Sequence, residues 1–204
     1  YIFPKPLIEI DNKPMIQWVI ESLNLEGNFI FIVQKEHQEK YNINSVLKIL
    51  KPNCKIIELD HITEGAACTT LLAKKFINTS NPLIIANSDQ YIKWDSIKSM
   101  YNYNQKKIDG SILTFEAIHP KWSYAKTDKN NFVTEVAEKK VISKNATVGV
   151  YYWKKGSDYV NCAETMIKKN IRVNNEFYVC PVYNEAIGEG KKIVIDKVSE
   201  MHGL

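Results

Sequence analysis

Between residues 29 and 103, short apolar runs alternate with amphipathic stretches, and this alternation constrains the fold more than any other feature of the chain. "FIFIV" at 29–33 has the continuous apolar character of a buried strand. "EHQEKYNINSVLKIL" at 36–50 repeats apolar positions at helical spacing and stops before Pro52, which predicts a helix there. A strand is expected at 55–59, a helix from about Gly65 to Ile77, a strand in "PLIIANSD" at 82–89 and a helix from Asp95 to Tyr103. Strand and helix units of these lengths imply a mostly parallel sheet covered on both faces.

The rhythm changes at Gly110. "GSILTFEAI" and "WSYAKTDKNNFVTEVAEK" read as successive strands, with Asp128 to Asn131 as a hairpin turn. "TVGVYYW" at 147–153 is a further strand, 157–169 returns to helix, and "KKIVID" is a strand again. No internal repeat, low-complexity tract or linker interrupts the chain. With 204 residues, 45% of them hydrophobic, it can bury one substantial core. The expectation is a single α/β domain whose sheet carries a mixed second half.

Charge and cysteine content remove several classes of function. A net charge of +4 suits a handler of phosphates, but it is too small and too scattered for a nucleic-acid partner. The pairs Lys74-Lys75 and Lys106-Lys107 are explained by solvated helix surface. Cys54, Cys68, Cys162 and Cys180 form no metal-binding spacing, so reduced thiols in the cytoplasm are expected. The longest apolar run is too short to cross a membrane.

In "YIFPKPLIEIDNKPMIQW", Lys5 sits between Pro4 and Pro6, which fix φ on both sides and forbid an α-helix. A lysine on such a stiff segment loses little backbone entropy on meeting an anion. After it, "LIEI" reads as a strand, "DNK" as a turn and "PMIQWVIESL" as a helix with proline in its first turn. Taken alone, the stretch reads first as a proline-punctuated loop with a solvated lysine.

The stretch is not alone. "FPKPLIEIDNKPMIQWVIESL" resembles the later half of the signature of the sugar-phosphate nucleotidyltransferases, and the family's other motifs follow in order. "TEGAACTTLLA" at 63–73 is similar to the Gly-Ala segment that approaches the nucleobase, and "LIIANSD" to the strand whose terminal aspartate holds magnesium. "VTEVAEK" is similar to the Glu-Lys motif at the acceptor, and "ATVGVYYW" to the glycine-bearing strand beside it. The resemblance implies a Rossmann-like three-layer α/β domain with a mostly parallel mixed sheet. It further implies that the family's first strand and Gly-rich loop, and part of its tail, are absent from the chain as given. A homo-oligomer is compatible with it.

The implied reaction is attack by an acceptor phosphate on the α-phosphorus of a nucleoside triphosphate, with release of pyrophosphate. Positioning and charge neutralisation dominate such a reaction, because two anions must approach each other. In this reading Asp89 binds Mg²⁺, Lys5 neutralises the triphosphate, and Lys139 contacts the acceptor phosphate. Glu138 accepts hydrogen bonds from acceptor hydroxyls, and Ser88 and Gly149 line the substrate site. Gly65 and Ala66 approach the base. Each has a plainer reading: Asp89 as a turn or capping residue, Glu138-Lys139 as a solvated edge, Gly65 as a helix start. A second metal-binding acid would fall near Gly203, where there is none; Glu200 and Asp196 are the nearby candidates.

The base and acceptor are less constrained. Glu58, Asp60 and Glu64 precede Gly65, and a carboxylate can accept the N4 amino group of cytosine but repels the O4 of uracil or thymine. CTP is therefore favoured over UTP and dTTP, with a sugar phosphate or another small phosphorylated metabolite as acceptor and surface polysaccharide precursors as the destination. No Gly-x-Ser-x-Gly elbow supports hydrolysis. A glycosyltransferase and a non-catalytic nucleotide-binding domain are the alternatives; "NSDQ" carries one acid where the former usually has Asp-x-Asp.

Overall fold

A computed structural model describes residues 4–203. Pro4 precedes one 3-10 turn, Lys5–Leu7. Strands β1 (Glu9–Ile10) and β2 (Lys13–Pro14) then form a minimal hairpin. Its turn residues, Asp11 and Asn12, both take positive φ (48° and 62°), the conformation a two-residue turn between twisted strands requires. Helix α1 (Met15–Leu23) buries Met15, Ile16, Val19, Ile20 and Leu23 on one helical stripe and stops at Asn24, which is left-handed.

Strand β3 (Ile30–Gln34) is followed by two helices, α2 (Lys35–Tyr41) and α3 (Ile43–Leu50), and by β4 (Lys55–Leu59), which pairs parallel to β3. The single helix expected over 36–50 is broken at Asn42. Its φ is 48°, a conformation asparagine tolerates, and the break lets α3 direct Ile43 and Leu47 into the core. The helix expected from Gly65 to Ile77 is likewise split, into α4 (Ala66–Leu71) and α5 (Lys74–Ile77). Between them the backbone tightens to i−3 hydrogen bonds, from Leu72 to Thr69 and from Ala73 to Thr70.

Strand β5 (Leu83–Ala86) ends three residues earlier than its sequence suggests, because Asn87 and Ser88 turn out to solvent before β6 (Gln90–Lys93). Helix α6 (Ser96–Gln105) is capped by Asp95, whose side chain accepts from Lys98 N. Next come β7 (Gly110–Glu116), β8 (Tyr124–Thr127) and β9 (Val133–Ala137). The β8–β9 turn is tied by Asp128 Oδ1, which accepts from the N–H groups of Asn130 and Phe132. Strand β10 (Asn145–Trp153), helices α7 (Gly156–Lys168) and α8 (Val182–Gly188), and strands β11 (Ile193–Lys197) and β12 (Glu200–Gly203) complete the chain.

The central sheet runs β11-β7-β10-β8-β9, with β5 joined to β10 as well. Strands β5, β7, β8 and β11 point one way, and β9 and β10 the other, so the sheet is mixed as expected. Neighbours on β7 separate the two faces. Ile112 packs with α7 and α8 residues such as Tyr159, Met166 and Tyr183, whereas Leu113 packs with Met15, Val19 and Leu47 from α1 and α3. This is the three-layer α/β arrangement. Each fully buried large side chain contributes about 1.5–3 kcal/mol relative to exposure. Among the described residues, no helix is long and apolar enough to cross a membrane.

Strand β10 positions everything that follows. Its edge opposite β7 is shared by two partners in succession: β8 at Ala146 and β5 from Val150 to Trp153. Between them the ladder with β7 shifts register from Thr147 to Tyr151, a bulge centred on Gly149.

Candidate active site

The proline-bracketed turn holds Lys5 so that its Nζ donates to Asp89 Oδ2 at 3.0 Å. Asp89 lies just beyond β5, and its other carboxylate oxygen accepts no hydrogen bond among the described residues. The carboxylate is 24% exposed. A strand-end carboxylate of this kind suits a hard cation such as Mg²⁺, which is commonly held by one or two carboxylates together with substrate phosphates. Among the described residues no group of three or more His, Cys, Asp and Glu gathers as a ready-made metal cage.

Neither further acid considered from the sequence joins Asp89. Gly203 faces Gln90, because β12 pairs with β6, and a Cβ there would stand 3.9 Å from the Asp89 carbonyl oxygen. Glu200 sits three residue pairs along that ladder, in an exposed ion pair with Lys93 at 2.9 Å. Asp196 is directed at α6. Its Oδ2 accepts from Trp94 Nε1, Ser99 Oγ and Tyr103 OH, and burial and this carboxylate together push the tyrosine's pKa far up.

The second half of the site forms where β9 ends. Glu138 accepts from Ser123 Oγ through its Oε2. Burial raises the Glu138 pKa, opposed by the Ser123 hydrogen bond and the Lys139 charge, and reinforced by Glu176. Lys139 adopts φ 52°, which turns its side chain away from the direction a continuing strand would give. Its backbone N–H donates to Trp122 O, and its Nζ donates to Tyr178 OH at 2.7 Å while lying 4.8 Å from that ring's centre. The hydrogen bond to Tyr178 raises the lysine's pKa, so it is cationic throughout the physiological range.

Strand β10 brings the two halves together. Thr147 N donates to Ser123 O at 2.8 Å, and Asn87 N donates to Gly149 O at 2.9 Å. The Glu138 side and the Asp89 side therefore attach two residues apart on one strand edge, at the Gly149 bulge. Gly149 has φ 75°, and a Cβ there would stand 2.2 Å from Asn87 Nδ2 and 2.8 Å from Gln90 Oε1. The room above this glycine is thus filled by the Asn87 amide. Gln90 Oε1 beside it is buried without a hydrogen-bond partner.

Gly65 and Ala66 stand at the start of α4. Gly65 has φ 128°, and a Cβ would meet Phe177 O at 2.5 Å and Phe177 N at 2.6 Å. The close approach observed is to the Phe177 backbone, which also bonds Glu64 O and Ala67 N. The three acids before the glycine are dispersed. Glu58 accepts from Asn44, exposed Asp60 pairs with His61, and Glu64 pairs with Arg172, whose guanidinium lies 4.0 Å above the Phe177 ring. Ser88 is exposed beside Asp89.

The structure thus brings together Lys5 with Asp89, and Glu138 with Lys139. It adds Ser123, Asn87, Gln90 and Tyr178, none of them singled out by sequence. The polar run "NSDQ" after an apolar strand was the one available signal for Asn87 and Gln90; Ser123 and Tyr178 had none.

A model of the family described as nucleotidyl transferase matches residues 2–189. Among solved structures, the nucleoside-diphosphate-sugar pyrophosphorylase from Vibrio cholerae RC9 superposes with a TM-score of 0.82 at 21% identity, over 100% of this chain and 88% of that one. A UDP-glucose pyrophosphorylase complexed with UDP-glucose gives 0.74 at 16% identity, over 98% and 84%. At these identities the likeness is one of fold. No curated protein matches the sequence.

Proposed function

Since the chain belongs to the nucleotidyl transferase family, we propose that it transfers the nucleoside monophosphate of a nucleoside triphosphate to a sugar phosphate or similar small phosphorylated metabolite. An oxygen of the acceptor phosphate bonds to the α-phosphorus, the bond from that phosphorus to the β-phosphate oxygen breaks, and pyrophosphate leaves. The observation that carries this reading is the attachment of the Asp89 segment, through Asn87, and the Glu138 side, through Ser123, to one edge of β10 two residues apart, which suits two phosphates that must meet.

In this reading Lys5 places a cation against the triphosphate on a segment already stiffened by two prolines. Asp89 would hold Mg²⁺, which would supply charge neutralisation and orientation to the phosphates. Lys139, held by Tyr178, takes the acceptor phosphate, and Glu138 accepts hydrogen bonds from its hydroxyls. Ser88 and the Asn87 amide above Gly149 line the space between. Gly65 and Ala66 open the base pocket, and Asp60 and Glu64 lie before it. We favour CTP over UTP and dTTP on the chemistry of these carboxylates: Asp60 or Glu64, released from its pairing with His61 or Arg172, would accept from the amino group of cytosine. A nucleotide-activated product made in the cytoplasm suits the supply of surface polysaccharide precursors, and the four cysteines are all free thiols.

The test is a matrix of nucleoside triphosphates against sugar phosphates with Mg²⁺, read as pyrophosphate release from the natural full-length protein. Release that depends on both substrates supports nucleotidyl transfer. Transfer from a nucleotide sugar would instead make it a glycosyltransferase, and binding with no turnover would make it a nucleotide-binding domain.

A further inference from the structure

We propose that Ser123 is a positioning residue of the acceptor pocket, whose hydroxyl grips one oxygen of the Glu138 carboxylate and leaves the other turned toward hydroxyl donors on the acceptor. The inference rests on the nucleotidyl transfer reading and deepens it.

Strand register builds the contact. In the β8–β9 ladder Tyr124 faces Ala137 and Ala125 faces Val136, so one step further Ser123 faces Glu138. Directly opposed side chains in an antiparallel pair lie close enough to hydrogen-bond. Ser123 is itself fixed from two more directions. Its carbonyl accepts from Thr147 N on β10, and its neighbour Tyr124 is fully buried with its hydroxyl on His119 O. Ser123 is only 9% exposed, so its hydroxyl has a short choice of partners. The Ser123 bond is to Oε2, and Glu138 accepts no other hydrogen bond among the described residues.

The surroundings explain why a neutral donor matters. Glu138 is faced by its chain neighbour Lys139, by Glu176 from the turn before Phe177, and by the buried Cys180 thiol and Tyr151 hydroxyl. Burial drives both of those groups' pKa values up, so they face Glu138 uncharged. Burial and the Glu176 charge both favour protonated Glu138; among the opposing influences the Ser123 hydroxyl acts more strongly than the Lys139 ammonium. A cation in place of Ser123 would hold the carboxylate but cancel its charge. A hydroxyl keeps it ionised and still in need of donors. The acceptor class that follows is one bearing hydroxyls near its phosphate, as in a sugar or polyol phosphate, with the phosphate on Lys139.

The test is carbon-13 NMR of the Glu138 carboxyl through a pH titration, with and without glucose 1-phosphate, in the natural protein, in Ser123→Ala and in Ser123→Thr. Glu138 is expected to titrate at higher pH in the alanine variant and closer to its natural position in the threonine variant, which keeps a hydroxyl. Glucose 1-phosphate is expected to bind the alanine variant roughly tenfold more weakly. Identical titration of Glu138 in the natural and alanine proteins would overturn the proposal, and so would equal affinity for glucose 1-phosphate. Failure of every sugar phosphate to accept a nucleotide would remove the reading beneath it, while the Glu138 titration would still decide whether Ser123 governs that carboxylate.

Discussion

Lys5 Nζ lies 3.0 Å from Asp89 Oδ2, although 84 positions separate the two residues. Their side chains are 44% and 24% exposed, and a pair so open to solvent contributes little to folding. Its value is in holding two opposite charges ready at a strand end. Asp89→Asn is therefore expected to lower turnover by roughly a hundredfold or more while leaving the melting temperature nearly unchanged. Steady-state kinetics at saturating Mg²⁺ beside a thermal melt checks this, and an Asn variant with near-natural turnover would sink the metal assignment.

Tyr178→Phe should raise the acceptor KM by roughly threefold to tenfold and leave the nucleotide KM alone, because only the hydroxyl that anchors Lys139 is lost. Lys139→Ala should do the same more strongly. Lys5→Ala should reverse the pattern and impair nucleotide use. Identical responses of the Lys5 and Lys139 variants in crossed titrations of nucleotide and acceptor would argue against two separate phosphate subsites.

Glu138 supplies a prediction about pH. Burial raises its pKa in the folded protein, so ionising it opposes folding: the stability it contributes is full below its unfolded pKa and is lost as pH rises through the higher folded value. Glu138→Gln should consequently raise the melting temperature at neutral pH relative to the natural protein while weakening acceptor use. Conversely, acceptor kcat/KM of the natural protein should fall on acidification with a midpoint above that of an ordinary glutamate. A variant that melts lower at pH 7 than at pH 4, relative to the natural protein, would contradict this.

Much of the layered plan was legible from apolar runs, since β3, β4, β7 and β10 fall close to where continuous apolar stretches predict them. The breaks at Asn42 and after Leu71 were not, because helical spacing continues through both and only backbone conformation interrupts it. The pairing of β12 with β6 was invisible too, since four-residue ladders leave little pattern. At the site, Lys5, Asp89, Glu138 and Lys139 were readable as motif residues. Ser123 and Tyr178 matter through what they touch across the fold, 15 and 39 residues from their partners, and no local spacing encodes that.

Gly65→Ala should destabilise the protein by about 3 kcal/mol, because φ 128° and the Phe177 backbone at 2.5 Å both reject a Cβ. Gly27→Ala, with nothing within 4 Å, is the control and should be close to neutral. Urea unfolding of both variants makes the comparison; a tolerated alanine at Gly65 would mean that the α4 start and the Phe177 segment are not rigidly apposed.

Asp196→Asn should cost about 2 kcal/mol of stability by weakening the three hydrogen bonds that its Oδ2 accepts, yet leave the Mg²⁺ dependence of turnover in place. A Mg²⁺ titration showing lost metal affinity at unchanged stability would instead give Asp196 a ligand's role.

The bulge in β10 acts as a calibrated spacer between two mounted tools. Asn87 and Ser123 are fastened to the same rail, at Gly149 and Thr147, so the gap between the parts they carry is set by the length of strand between those fastenings. Lengthening the rail by one residue there would leave each tool sharp and properly held but would move them out of mesh. On the nucleotidyl transfer reading, either phosphate subsite could therefore vary its own lining without retuning the other, provided the spacer keeps its length. Selection for new substrates would act on the two jaws, and selection for reactivity on the rail.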